Sequence, residues 1–585
     1  MTIPRVVLAL AVLLPAACRP IGPLPGGTPG TSELASFPAT WSIPAGGRAV
    51  TSTQEMVASN APLASAAGAS ILAAGGNAAD AAVATGFALA VVYPEAGNLG
   101  GGGYSVIHLA DGRTAAIDYR EVAPRRATRD MFVDPATGRA TDASVIGHRA
   151  VGVPGAVAGL LAAHERYGTL PRAQVLAPAI ALARDGFPAD SSLVASLRRD
   201  SALICRYAGC ATWFPGGRTP RVGDTVRLDA LARTLMHLSA DGADGFYRGV
   251  VAAAIVAEMQ RGGGLIRAED LAAYAPAWRT PLRGQYRGHT LLAMPPSSSG
   301  GVTLVEALGI LEAFGPAAPP ASTTALHRML GAFQLAFIDR NEYLADPDVH
   351  PVPTEQLTAP AYHRAQQARL DPARYIPTPQ LAPGLSTAAR TPEPTETTHY
   401  AVVDRWGNAV STTTTINGLF GSKVFVEDVG IFLNNEMDDF TVLPGQPNMF
   451  GLVQGEANAV APGKRMLSAM APTIVLDPRG QVLLVVGSRG GPRIITGVAQ
   501  VITNVVDYRM SLYDALAAPR MHFQGLPEVV SFEAGGFRDA VLDSLRTMGW
   551  HLERGGSGSP VAIKRTATGW EGTWDPRAAG GVAGR

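Results

Sequence analysis

Glu396-Thr397-Thr398-His399-Tyr400-Ala401-Val402-Val403-Asp404 joins a polar, proline-rich segment to a pattern that reads as a β-hairpin. A threonine hydroxyl is a poor nucleophile at neutral pH. A free α-amine on the same residue can activate it by acting as the adjacent base. Such an amine titrates near pH ~8, so it accepts a proton at neutral pH. In the uncut chain Thr397 has no free amine, so this chemistry requires a cut between Glu396 and Thr397. With that cut the chain is a self-activating hydrolase. Threonine is also common in strands for packing reasons alone. Taken by itself the stretch reads first as a Thr-rich strand, and the rest of the chain decides between the two.

Outward from this point, residues 400–403 and 409–416 alternate as strands around Asp404-Arg405-Trp406-Gly407-Asn408. A second hairpin pairs 473–476 with 482–486 around Asp477-Pro478-Arg479-Gly480, and both turns carry the residues that hairpins favour. Helical periodicity follows over 494–506. On the N-terminal side, 64–92 is an Ala-rich buried-helix pattern. Gly75-Gly76-Asn77 breaks it into two helices and Tyr93-Pro94 ends the second. Residues 104–109 and 115–119 read as paired strands around Asp111-Gly112, and 153–184, 229–259 and 302–314 as helical. The stretch 351–394 is polar and Pro-rich and reads as an exposed loop leading to the cut. Blocks of strands and helices in this order predict a layered α+β sandwich.

The chain has 585 residues, zero formal net charge and 47% hydrophobic residues, enough for a large core and too long for one simple domain. Only 16% of residues are charged, with no basic excess, which argues against nucleic acid as a partner. Residues 1–18 read as an export signal: Arg5, an apolar run over 6–14, then Ala16-Ala17 before Cys18. The run is too short for a permanent membrane span. Two readings stand, an ordinary cleaved signal or a lipoprotein signal with a lipid anchor on Cys18. Either gives a periplasmic or secreted protein, in the second case membrane-anchored. Residues 19–47, with repeated Pro and Gly, read as a flexible tether. Cys205 and Cys210 suit a small-loop disulfide in an exported protein. The cysteines and histidines form no metal-binding grouping.

Ser488-Arg489-Gly490-Gly491 lies between a strand and a helix. Backbone amides at a helix start favour anions, so Gly490 and Gly491 are candidates for an oxyanion hole, against an ordinary glycine turn. Asn434-Asn435-Glu436-Met437-Asp438-Asp439-Phe440 is an acidic and amide cluster suited to a ligand ammonium. Its spacing does not fit an EF-hand. Gly100-Gly101-Gly102-Gly103 is no phosphate loop, because a strand follows and neither a Walker lysine nor a GxGxxG helix is present. HExxH and GxSxG are absent.

Together, and in this order, these segments resemble the γ-glutamyltranspeptidase family. The match spans nearly all of the chain after the tether. It includes 75–84, 96–103, Asp118-Tyr119-Arg120-Glu121, Pro295-Pro296-Ser297-Ser298-Ser299-Gly300-Gly301, Thr397-Thr398-His399-Tyr400, 434–440 and 488–491. The resemblance implies an N-terminal-nucleophile hydrolase with a four-layer αββα sandwich, formed by two chains after self-cleavage: a large subunit, 48–396, and a small catalytic subunit, 397–585. It implies Thr397 as nucleophile, Thr415 as its orienting partner, and Gly490 and Gly491 as oxyanion amides. Arg120 and Ser468 would hold the donor α-carboxylate, and Asn417, Glu436 and Asp439 the α-ammonium. The expected activity is hydrolysis or transfer of γ-glutamyl amides such as glutathione, with water or an amino acid or peptide as acceptor and no cofactor. The alternative is a sibling acylase using glutaryl-cephalosporin-like or poly-γ-glutamate donors. Two departures stand out. Ser468-Ala469 replaces the family's usual paired serines, and Phe450, in a lid-like segment 444–451, replaces a frequent Tyr.

Overall fold

Thr397–Val403 and Ala409–Thr415 are antiparallel strands in which every residue is buried. The turn between them is tied by Asp404, whose Oδ1 accepts from the amides of Trp406 (3.0 Å) and Asn408 (2.9 Å). Both faces are buried because alternate residues feed different cores. Tyr400, Val402 and Val410 join one apolar cluster; Ala401, Val403 and Ala409 join another. The computed structural model describes residues 36–381 and 397–585. The export signal with Cys18, residues 19–35 of the tether, and Glu396 lie outside the described residues.

The hairpin sits inside a seven-stranded sheet of order Gly581–Gly584, Met56–Ser59, Thr397–Val403, Ala409–Thr415, Gly102–His108, Thr114–Asp118, Ala277–Arg279. A second seven-stranded sheet has the order Val50–Ser52, Gly569–Trp574, Ser559–Thr566, Val482–Arg489, Thr473–Leu476, His289–Ala293, Leu282–Tyr286. The sheets stack face to face. Ser411 Oγ, from the first, donates to the Val486 carbonyl of the second at 3.2 Å. Helix Ala78–Val92 covers the outer face of the first sheet, and Gly300–Ala313 and Arg493–Val506 cover the second. This is the expected α+β sandwich of four layers.

Local sequence explains the helix breaks. Asn77 caps Ala78–Val92 by accepting from the amides of Ala79 (2.9 Å) and Asp80 (3.0 Å), and Asp80 Oδ2 accepts from the Asn77 amide. That is a capping box, and Gly75, at φ +95°, supplies the turn before it. The pattern over 153–184 resolves into Ala156–Tyr167 and Arg172–Asp185. That over 229–259 resolves into Asp229–Asp241, Asp244–Tyr247 and Gly249–Gly262.

Other elements differ from the sequence pattern. The stretch expected as a loop contains short helices at Thr354–Leu357, Pro360–Gln367 and Thr378–Leu381. The 21-residue helix Thr323–Tyr343 has no amphipathic signature, because it is buried nearly all round. Cys205 and Cys210 form a disulfide. The described part of the tether touches the body: Trp41 Nε1 donates to the Ala517 carbonyl at 3.0 Å and the Gly46 amide to Asp514 Oδ1 at 2.7 Å. Among the described residues no helix is long and apolar enough to cross a membrane.

Candidate active site

Thr397 is the first described residue of its strand and lies directly opposite Thr415 in the hairpin register. By strand alternation it shares a face with Ala401 and Val403, toward the gap between the sheets. Its hydroxyl is 3.4 Å from Thr415 Oγ1, which also accepts from the Asn417 amide at 2.8 Å. Asn417 holds a left-handed conformation, φ +75°, which Asn tolerates better than most residues. Its side-chain amide donates to the Asn435 carbonyl at 3.0 Å.

These groups line a small cavity, about 20 Å³ in volume, together with Arg120, Arg340, Asp439, Phe450, Leu452, Ser468, Ala469 and Gly491. Seven of the nine residues singled out from the sequence therefore share one cavity. Gly490 adjoins it through Gly491, and Glu436 stands behind Arg120, in an ion pair at 2.7 Å. Gly490 (φ +119°) and Gly491 (φ +56°) turn the chain from strand Val482–Arg489 into helix Arg493–Val506. At Gly491 a Cβ would come within 2.7 Å of the Phe450 ring, so glycine is required there by space as well as by backbone.

The wall carrying Ser468 is clamped by the serine triplet 297–299. Ser298 Oγ donates to the Met470 carbonyl and Ser299 Oγ to the Ser468 carbonyl, both at 2.5 Å. Ser297 Oγ donates to Asp118 Oδ2 at 3.0 Å. Across the cavity the loop with Phe450 is held by Asn448, whose Oδ1 accepts from the amides of Phe450 (3.0 Å) and Leu452 (3.2 Å). Asp438 Oδ2 accepts from the Met449 amide at 3.0 Å. Phe450 is 7% exposed and closes over the glycine turn.

The electrostatics centre on Arg120, which is fully buried and ion-paired to Glu436, to Asp439 and, at 3.5 Å, to Glu121. Burial alone would lower its pKa, but Glu436 and Asp439 outweigh burial and raise it. The acids are not all held ionised in return. Burial raises Glu436 well above the carboxylate range and Glu121 to about 8, against the pull of Arg120. Arg120 stays charged among its acids, while one guanidinium cannot compensate three buried carboxylates. His399 is fully buried, with Nδ1 2.9 Å from Thr413 Oγ1, and burial lowers its pKa to about 3. It is neutral at physiological pH and a poor base for proton transfer there.

Sequence reasoning missed Arg340. It lies in the helix Thr323–Tyr343, a stretch to which the sequence pattern assigns no element. In the fold its side chain is 1% exposed and faces the cavity.

The profile described as Gamma-glutamyltranspeptidase matches residues 64–585. The Glutathione hydrolase proenzyme of Escherichia coli (strain K12) is 43% identical over 534 residues, 90% of this chain and 90% of its own. The Acylase ACY 1 proenzyme of Pseudomonas sp. (strain SE83) is 40% identical over 478 residues, 80% of this chain and 82% of its own. Among solved structures, cephalosporin acylase from Bacillus halodurans superposes with a TM-score of 0.80 at 29% identity, over 94% of this chain and 99% of its own. The stacked sheets and these likenesses define an N-terminal-nucleophile hydrolase fold. The chain belongs to the gamma-glutamyltranspeptidase family and is an enzyme of the γ-glutamyltransferase/glutathione hydrolase type.

Proposed function

We propose that this chain is exported by its first 18 residues to the periplasm or cell exterior and cuts itself between Glu396 and Thr397. The products are a large chain ending at Glu396, in which the tether 19–47 precedes the subunit body 48–396, and a small subunit, 397–585, which together hydrolyse or transfer γ-glutamyl groups. The observation that carries this reading is the placement of Thr397 Oγ1. It lies beside Thr415 Oγ1, in a cavity lined also by Asn417, Asp439, Ser468 and Gly491.

In turnover the Thr397 hydroxyl attacks the γ-carbonyl of the donor, and its freed α-amine takes the hydroxyl proton. The Gly490 and Gly491 amides bind the oxyanion. As the γ-glutamyl ester of Thr397 forms, the C–N bond breaks and the proton passes to the departing amine. Water or an amino acid or peptide amine then attacks the ester and restores the Thr397 hydroxyl. Arg120 and Ser468 serve the donor carboxylate, and Asn417, Asp439 and, behind them, Glu436 serve its ammonium.

A second reading, an acylase with a glutaryl-type donor, is favoured by Ala469, an apolar residue on the cavity wall, and by the relatives that bear the acylase name. The acids at 436 and 439 argue for the first reading, because a glutaryl group brings no cation to them. The test measures kcat/KM for γ-glutamyl-anilide and glutaryl-anilide, with Thr397→Ala as control. A strong γ-glutamyl preference, and a Thr397→Ala chain that stays as one band on a denaturing gel, are expected. Equal rates or a glutaryl preference would replace the first reading with the second. Cleavage in Thr397→Ala would remove both.

A further inference from the structure

We infer that Arg340 is a specificity-determining residue of this cavity, binding the donor's α-carboxylate together with Ser468. The inference deepens the γ-glutamyl reading and rests on it.

Two guanidinium groups line the cavity, and their surroundings differ. Arg120 is surrounded by acids, with Glu436 at 2.7 Å, Glu121 at 3.5 Å and Asp439 in contact. An anion approaching it must compete with carboxylates already in place. Arg340 meets only neutral acceptors at hydrogen-bonding distance. Its Nε donates to Ser299 Oγ at 2.9 Å, and its Nη1 to Asn341 Oδ1 at 2.9 Å and to Gln454 Oε1 at 3.3 Å. Among the described residues no carboxylate pairs with it. The one acid whose field reaches it, Asp439, is already bound to Arg120. Burial lowers the Arg340 pKa to about 10, so the group is still a cation at neutral pH.

A buried, charged guanidinium without a counter-ion at a cavity wall favours an anion of matching shape, and the planar fork of arginine matches a carboxylate. The donor brings one such group beyond its reacting carbonyl, and that carbonyl must face Thr397 and Gly491. Arg340 lines the cavity with Leu467 and Ser468. The links are direct: Ser299 Oγ accepts from Arg340 and donates to the carbonyl of Ser468. The same serine therefore fixes both groups at the donor carboxylate.

The experiment compares γ-glutamyl-anilide with 4-aminobutyryl-anilide, which keeps the amine and lacks the α-carboxylate, in the self-cleaved wild type, Arg340→Met and Arg340→Lys. Loss of a charge-assisted hydrogen bond corresponds to about 10- to 100-fold. A loss of that size, carried by KM, is expected for γ-glutamyl-anilide in Arg340→Met, with the rate on 4-aminobutyryl-anilide unchanged. Arg340→Lys keeps the charge without the fork, so an intermediate KM is expected. If the methionine variant does not self-cleave, the lysine variant decides, by the same selective rise in KM. Equal losses on both donors, or a loss confined to kcat, would make Arg340 a structural residue and overturn the inference. A wild type inactive on γ-glutamyl-anilide would instead remove the γ-glutamyl reading itself.

Discussion

Glu121 is a carboxyl to which no other residue donates a hydrogen bond, buried beside a guanidinium that two other acids already occupy. Burial raises its pKa from 4.5 to about 8, and Arg120 opposes the rise only in part. The folded state then holds a proton that the unfolded state has released, and stability falls with rising pH wherever that is so. The contribution is complete below pH 4.5 and is lost as the pH rises through about 8. Glu121→Gln keeps the neutral form at every pH. The variant should match the wild type in Tm at pH ~5 and exceed it by roughly 2 °C or more at pH ~9. Parallel Tm curves for the two proteins from pH ~5 to ~9 would show that Glu121 does not carry this proton.

The loop over the cavity is tied at its centre by Asn448, with Asp438 and Gln524 holding it from outside. Asn448 Oδ1 ties the amides of Phe450 and Leu452, and its Nδ2 reaches Asp439 Oδ1 at 3.4 Å. Net hydrogen-bond contributions of about 1 kcal/mol each make Asn448→Ala a loosened loop rather than an unfolded one. The expected result is a KM raised roughly 5-fold or more at near-constant kcat, with faster proteolysis within 444–451. An unchanged KM would mean that the loop does not shape the cavity. Elements of this kind differ in how well the sequence discloses them. The hairpin from Thr397 to Thr415 is legible because its turn is short and alternate residues serve two cores. The glycine turn at 490–491 and the acidic cluster are legible as chemistry. Strand Gly581–Gly584 is not, because pairing with the distant Met56–Ser59, rather than local pattern, holds it. Helix Thr323–Tyr343 buries His327, Gln334, Asp339 and Arg340 alongside its apolar residues. It presents no stripe to read, and Arg340 was hidden with it.

At the scale of the whole molecule, a cut before Thr397 divides the chain but not the sheets. In the first sheet, Met56–Ser59 lies between Gly581–Gly584 and Thr397–Val403, and Ala409–Thr415 pairs with Gly102–His108. In the second, Val50–Ser52 pairs with Gly569–Trp574, and Thr473–Leu476 with His289–Ala293. Each half supplies strands that the other needs as neighbours, and unpaired buried backbone is costly. Side chains cross the same boundary. Asn60 Oδ1 accepts from the His399 amide at 3.1 Å, and Asp404 Oδ2 from the Ala78 amide at 2.9 Å. Both apolar clusters that flank the hairpin draw on residues from before and after the cut. Such an interface is held by ladders and apolar burial, which salt does not screen, whereas exposed ion pairs are largely screened at ~1 M salt. The cut protein should therefore elute as one species on size exclusion in ~1 M salt while giving two bands on a denaturing gel. The halves should part only in denaturant, together with loss of the far-ultraviolet signal. Two native peaks, each retaining secondary structure, would show that the halves fold separately and that the shared sheets are not what holds Thr397 in its cavity.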